Sequence, residues 1–252
     1  MKNKMDFTGK TIVLAGSGGV GSATAELLAS MGARMILLDI AEENMKETIN
    51  KMKGEGHAYY VCDFSNIESI EPVINRLVEE NGPVDGYVHT TGVGAVRPLK
   101  MSKYDFMLRV MNINFFSFVE VVRCLTKKGA FNPGMNVVGI SAVGAYIGNA
   151  TKTAYCASKS AMNGAVRCLA KELAPKEIRI NTVAPGATDT PMAREAADYR
   201  NGTEEQRVNA LRQYLGTCQP SDIANAVAFL LSDMSRMITG TCLPVDGGKL
   251  TS

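Results

Sequence analysis

The chain has 252 residues, 46% hydrophobic and 21% charged, a composition that excludes a disordered chain, a collagen-like fibre and a coiled-coil rod. Lys plus Arg number 27 against 25 Asp plus Glu, and the net charge of +2 gives no electrostatic reason to expect nucleic acid as a partner. No apolar run reaches the roughly 18 residues of a membrane span, and the polar N-terminus lacks a secretory segment. The six cysteines are dispersed without metal spacing, so a soluble, cytoplasmic protein with reduced, packed thiols and no membrane or metal partner is expected.

Short apolar runs at 11–15, 35–38, 59–61, 84–89, 136–140, 178–183 and 241–245 read as seven strands. Segments of helical period lie between them, at 20–31, 42–53, 67–79, 104–125, 153–174 and 220–231. Strands alternating with helices imply right-handed crossovers and an α/β, doubly wound parallel sheet covered on both faces. Ser65 or Asn66 is placed to cap the third helix, Gly32 to stop the first, and Pro175 to block extension beyond Ala174. Residues 1–252 therefore read as one domain, with the strandless stretch at about 187–216 as an inserted loop or lid.

The first strand runs into Gly16-Ser17-Gly18-Gly19-Val20-Gly21, a GxGxxG turn that opens directly into a helix. Glycines let the backbone turn sharply and approach a pyrophosphate, whose charge the helix start then holds. The second strand ends at Asp39, 18 residues beyond Gly21, where a carboxylate accepts hydrogen bonds from both hydroxyls of an adenosine ribose and repels a 2′-phosphate. That favours NAD over NADP; the competing role for Asp39 is to cap the helix after it. Tyr155 and Lys159 are four apart in a helical segment and project from one face, where an ammonium lowers a phenol's pKa and makes it a usable proton donor or acceptor.

With these, further motifs fall in a fixed order: Cys62-Asp63-Phe64, Thr90-Thr91-Gly92, Asn114, Tyr155-Cys156-Ala157-Ser158-Lys159, Asn181-Thr182-Val183-Ala184-Pro185-Gly186, Thr190-Pro191-Met192 and Val245-Asp246-Gly247-Gly248. On these motifs the chain resembles the short-chain dehydrogenase/reductase family over nearly its whole length. The resemblance implies a Rossmann-type sheet of order 3-2-1-4-5-6-7 with NAD across the C-terminal strand edges. It implies that Gly16 to Gly21, Asp39 and Ile40 bind the adenosine and pyrophosphate, that Asp63 and Phe64 meet the adenine, and that Thr90, Thr91 and Gly92 pass beside the ribose. Tyr155 is then the acid/base, and Lys159 lowers its pKa and binds the nicotinamide ribose. Asn114 holds a water in the proton relay, Pro185 and Gly186 flank the nicotinamide, and Thr188 and Thr190 contact its carboxamide and phosphate region. A homo-oligomer, dimer or tetramer, is also implied, with the small residues Ala157, Ala161, Gly164 and Ala165 permitting close helix packing.

Three positions depart from the family pattern. The glycine turn is one residue short, with Ala15 where Thr is expected; the strand-end Asn-Asn-Ala-Gly reads His89-Thr90-Thr91-Gly92; and the Ser thirteen before the tyrosine is Ala142. His89 reads as a packed, hydrogen-bonded histidine, and the hydroxyl missing at Ala142 falls to Ser141, Asn149 or a bound water. The expected function is NAD(H)-dependent interconversion of a secondary alcohol and a ketone, small molecules both. A 3-oxoacyl-thioester reductase is the competitor among enzymes, and a catalytically weakened nucleotide-binding scaffold is the competitor from another class. Val, Ala, Tyr146 and Met192 in the variable loops suggest a fairly apolar substrate.

Overall fold

The computed structural model describes residues 5–198 and 213–251, without the side chains of residues 195–198. Among these residues lie seven strands: β1 (Thr11–Ala15), β2 (Arg34–Asp39), β3 (Ala58–Val61), β4 (Val84–His89), β5 (Phe131–Ile140), β6 (Arg179–Pro185) and β7 (Cys242–Val245). They form one sheet in the order β3-β2-β1-β4-β5-β6-β7, and every neighbouring pair is parallel. The helices are α1 (Gly19–Ser30), α2 (Glu42–Lys51), α3 (Ile70–Asn81), α4 (Tyr104–Met111), α5 (Ser117–Leu125), α6 (Thr153–Leu173), α7 (Pro191–Asp198) and α8 (Pro220–Leu231).

The two-residue period of the strands splits their side chains between two cores. Val13, Ile36, Tyr87 and Val137 pack under α3, α5 and α6, while Ile12, Met35, Val88 and Val138 pack under α1 and α8. Each such fully buried aliphatic chain contributes about 1.5–3 kcal/mol. A strand buried on both faces has no polar side, which is why these runs read as continuously apolar. All helix N-termini that follow strands thereby open on one edge of the sheet, and the order reverses between β1 and β4. A crevice there is the consequence.

Several boundaries differ from the sequence reading. The run 104–125 is two helices joined by a π-helical turn at Asn112–Phe116, which a 3.6-residue period cannot reveal. β5 begins at Phe131 rather than 136, with its register shifted between Val84 and Gly86. A 3-10 turn at Ile67–Ser69 precedes α3, and Asn66 makes no side-chain cap. Gly32 does stop α1, at φ 95°, but α6 ends at Leu173 and Pro175 sits in a 3-10 turn beyond it. All six thiols are free; Cys62, Cys124 and Cys218 are buried, but Cys168 is exposed rather than packed. Of the segment 187–216, residues Pro191–Asp198 form α7, and 199–212 lie outside the described residues. Among the described residues no helix is long and apolar enough to cross a membrane.

Candidate active site

A cleft of about 850 Å³ runs along the C-terminal strand edges. At its β1 end the glycine turn is dictated by space. A Cβ on Gly21 would stand 1.8 Å from the Gly16 carbonyl oxygen, and one on Gly16, itself at φ 92°, would stand 2.7 Å from the Thr91 nitrogen. Gly18 has open space around it, and Gly19 only tight contact with Thr190. No side chain caps α1 and no acid lies in its first turn, so its leading N–H groups and positive dipole end are offered to an anion. Gly16, Gly18, Gly19, Val20 and Gly21 all line the cleft, so the cradle fits a dinucleotide pyrophosphate despite its missing residue.

Asp39 ends β2 beside this turn. Its Oδ2 accepts from the Ser17 N–H (2.6 Å) and the Ser17 hydroxyl (2.8 Å), while Oδ1 accepts from the Ala41 N–H (3.0 Å). The carboxylate therefore ties β2 to the glycine loop and holds the backbone of Ala41, the residue before α2, although α2 has no side-chain cap. Ser17 itself is buried behind the loop and does not line the cleft; Asp39 and the exposed Ile40 do. Asp63, whose Oδ1 accepts from the Ser65 N–H (2.9 Å) and hydroxyl (2.7 Å), and Phe64 line the same end.

The altered strand end of β4 replaces its lost amides with a hydroxyl. Thr90 Oγ1 donates to the Gly16 carbonyl (2.7 Å), and the Thr90 and Thr91 N–H groups both reach the Ala15 carbonyl (2.8 and 3.0 Å). His89 is wholly buried among Phe64, Tyr87 and Phe118; its Nδ1 pairs with the Tyr87 hydroxyl (2.6 Å), whereas Nε2 and the Thr91 hydroxyl have no partner. Burial, and then the nearby Lys159 charge, hold the imidazole pKa well below its ordinary value, so the ring is neutral.

At the β5 end Tyr155 and Lys159 face the cleft from the first turns of α6. The Lys159 ammonium donates to the Ile140 carbonyl (2.6 Å) at the end of β5, and burial pushes its pKa down to about 8. Burial also pushes the Tyr155 phenol up to about 12. The phenol is thus raised, by burial and then by the Cys156 thiol, rather than lowered as the sequence led one to expect, and the ammonium is drawn to a backbone carbonyl. Asn114 sits inside the π turn, and its side chain is spent on protein: Oδ1 accepts from the Val93 N–H (2.8 Å), and Nδ2 donates to the Val93 carbonyl (3.2 Å) and the Ser158 hydroxyl (3.0 Å). It backs the wall rather than lining it, and so positions Val93 and Ser158.

Ala142 lines the cleft beside Tyr155. The neighbouring Ser141 also lines the cleft, but its hydroxyl donates to the Lys159 carbonyl (3.4 Å), as successive extended residues face opposite ways. Asn149 remains on the wall, as do Gly92, Pro185, Gly186, Thr188 and Thr190, while Tyr146 is 53% exposed and lies outside the cleft. Three charged wall residues were missed from the sequence: Arg109, Lys152 and Lys249. Lys152, one helical turn before Tyr155, was open to discovery by helical spacing. The other two reach the cleft only through tertiary packing.

Residues 14–249 match the family described as Enoyl-(Acyl carrier protein) reductase. A Danio rerio protein, carbonyl reductase family member 4, is 34% identical over 94% of this chain and 96% of its own. The Thermotoga maritima 3-oxoacyl-(acyl-carrier-protein) reductase is 30% identical over 97% and 99%. The chain is a short-chain dehydrogenase/reductase. Among solved members of this family, a dehydrogenase/reductase from Sinorhizobium meliloti superposes with a TM-score of 0.89 at 30% identity, covering 98% and 97% of the two chains. The chain is therefore an oxidoreductase of a family that binds a nicotinamide cofactor, and the glycine cradle of this dehydrogenase/reductase fits one.

Proposed function

We propose that the protein is a cytoplasmic, NAD(H)-dependent oxidoreductase that interconverts a secondary alcohol and a ketone, working as a homo-oligomer from one dinucleotide-binding domain. The observation that carries this reading is the continuity of one cleft from the glycine turn and Asp39 to Tyr155 and Lys159. The glycine loop and α1 hold the pyrophosphate, Asp39 and Ile40 the adenosine ribose, and Asp63 and Phe64 the adenine. Thr90, Thr91 and Gly92 form the floor, and Pro185, Gly186, Thr188 and Thr190 the nicotinamide side. When bound, the nicotinamide supplies or accepts the hydride.

In reduction, Tyr155 donates its hydroxyl proton to the carbonyl oxygen of the substrate; in oxidation it takes the alcohol proton. A phenol held up at about 12 is protonated at neutral pH, the form that acts as the acid in reduction. Lys159, charged below about pH 8, stabilises negative charge as it develops on the phenol. Asn149 is the neutral wall donor we assign to orient the substrate oxygen in place of the absent hydroxyl at Ala142, since the Ser141 hydroxyl is engaged by the Lys159 carbonyl. A scaffold role is disfavoured, since Tyr155, Lys159 and the backing Asn114 are all in register.

A second reading, reduction of a 3-oxoacyl thioester, is favoured by the 30% identity to the Thermotoga maritima enzyme, and a polyketide ketoreductase neighbour with a TM-score of 0.87 is described with NADPH. Titrating NADH and NADPH, then following absorbance at 340 nm with ketones and a 3-oxoacyl thioester, separates the two. Tighter NADH and turnover of free ketones are expected. Tighter NADPH together with turnover confined to the thioester overturns our reading in favour of the second.

A further inference from the structure

The wall at Gly186 to Thr188 leaves the sheet where β6 ends, at Pro185, and its backbone is held by other means. The Gly186 N–H still reaches the Val245 carbonyl after β7 (3.0 Å). Beyond it the returning segment at 213–218 takes the place of a neighbouring strand: the Cys218 N–H donates to the Ala187 carbonyl (2.9 Å), and the Asp189 N–H to the Cys218 carbonyl (2.9 Å). The Ala187 N–H is left to a side chain. Gln213 Oε1 accepts it at 2.8 Å, while Gln213 Nε2 donates to the carbonyls of Ala187 (3.1 Å) and Gly216 (2.6 Å) and stands 3.4 Å from the Cys218 sulfur.

A carboxamide carries the same planar donor and acceptor as a peptide group, so Gln213 offers Ala187 what the backbone of a neighbouring strand would. Gln213 is only 4% exposed and does not line the cleft, whereas Gly186, Ala187 and Thr188 do. The amide therefore lies behind the wall. The Ala187 side chain is exposed, which leaves the fixing of this stretch to its backbone hydrogen bonds. The space around Gln213 is equally defined. A Cβ on Gly186 would stand 2.6 Å from Gln213 Oε1, and one on Gly247, at φ 58°, would stand 2.8 Å from Gln213 Cγ. The glycine at the end of β6 and one from the Val245-Asp246-Gly247-Gly248 motif are thus packed against one side chain. A shorter residue at 213 would leave a gap between them and take the acceptor from the Ala187 N–H.

We infer that Gln213 is a positioning residue, whose side-chain amide fixes the backbone of Gly186, Ala187 and Thr188 in the shape that receives the nicotinamide half of the dinucleotide. It acts through Ala187 and touches no reacting atom. The inference rests on the reading of this wall as the nicotinamide side. Its consequence is selective, because the glycine turn and Asp39 at the adenosine end make no contact with Gln213.

The test uses the full chain and two readouts. The first titrates, by calorimetry, whichever of NADH and NADPH binds more tightly against the same nucleotide without its nicotinamide, ADP-ribose or its 2′-phosphate. Gln213→Ala should weaken the dinucleotide about tenfold or more and the truncated nucleotide less than about threefold. The second is hydrogen exchange in the nucleotide-free chain, where the Ala187 amide should exchange about tenfold or more faster in Gln213→Ala. Gln213→Glu keeps the size and the acceptor but loses the donor, and should fall between the two proteins on both readouts. If Gln213→Ala fails to fold, Gln213→Glu is judged by the same comparison with the unaltered protein. Equal weakening of the two nucleotides, or an Ala187 amide that exchanges no faster, overturns the inference. If the unaltered protein already binds the two nucleotides alike while exchange quickens in the variant, the nicotinamide reading of this wall fails and the hold of Gln213 on it stands.

Discussion

The two ends of the cleft are built by different means. At the adenosine end the phosphate cradle and Asp39 come from one stretch of chain, β1 to the start of α2, and work largely through backbone: glycines, two of them without room for a Cβ, uncapped amides of α1, and one carboxylate held by two residues of the same stretch. The reacting end is assembled from side chains of β5, the π turn, α6 and the residues after β7, which meet only in the folded protein. It is there, at Ala142 and His89, that the chain is idiosyncratic. A site made of backbone tolerates side-chain change around it, whereas a site made of side chains is respecified by each one.

Removing the proton donor at the reacting end should have the largest effect. Tyr155→Phe is expected to lower turnover on a true substrate by about 10²–10⁴-fold, measured by initial rates, while dinucleotide affinity stays within about threefold. Retention of most of the rate would break the division of labour. At the other end, Gly21→Ala should destabilise the chain by about 3 kcal/mol or more in denaturant melts, through overlap with the Gly16 carbonyl, and abolish dinucleotide binding. Gly18→Ala, with nothing near its Cβ, should cost under about 1 kcal/mol. Similar losses for the two would refute the spatial account of the turn.

Asp39→Ala sharpens the cofactor assignment. It should weaken NADH by about 1–3 kcal/mol relative to NADPH in parallel titrations, and also loosen the loop through Ser17. The reacting end also carries a pH signature. Burial depresses the Lys159 pKa to about 8, so its charge is present at pH 7 and lost as pH rises through 8. Dinucleotide affinity should fall over that interval in the unaltered protein and be flat in Lys159→Met. The smallest effect concerns His89. Its ring is neutral in the folded chain, and the unfolded chain takes up a proton near pH 6.5, so stability is fully present above that pH and lost below it, by at most about 1.4 kcal/mol per pH unit for one histidine. Melting at pH 7.5 and 5.5 checks this, with His89→Gln expected to remove part of the dependence.

The strands and helices, the glycine turn, Asp39 and the Tyr155–Lys159 pair were legible in the sequence because each depends on residues close in the chain, whereas the sheet order was implied only by the family resemblance. Strand and helix periods are properties of a few consecutive residues, a tight turn forces glycine, and a spacing of four puts two side chains on one helical face. The π turn at Asn114 was not legible, because its one-residue widening is fixed by hydrogen bonds to Val93 and Ser158, which lie 21 and 44 residues away. The same holds for the direction of the Ser141 hydroxyl, for the burial that raises the Tyr155 phenol, and for the meeting of Lys152 and Lys249 on one wall. Local pattern sets which elements form and where the cofactor chemistry sits. Orientation, desolvation and the meeting of charges on the wall arise from contacts between distant residues, and those energies exist only once the elements have packed.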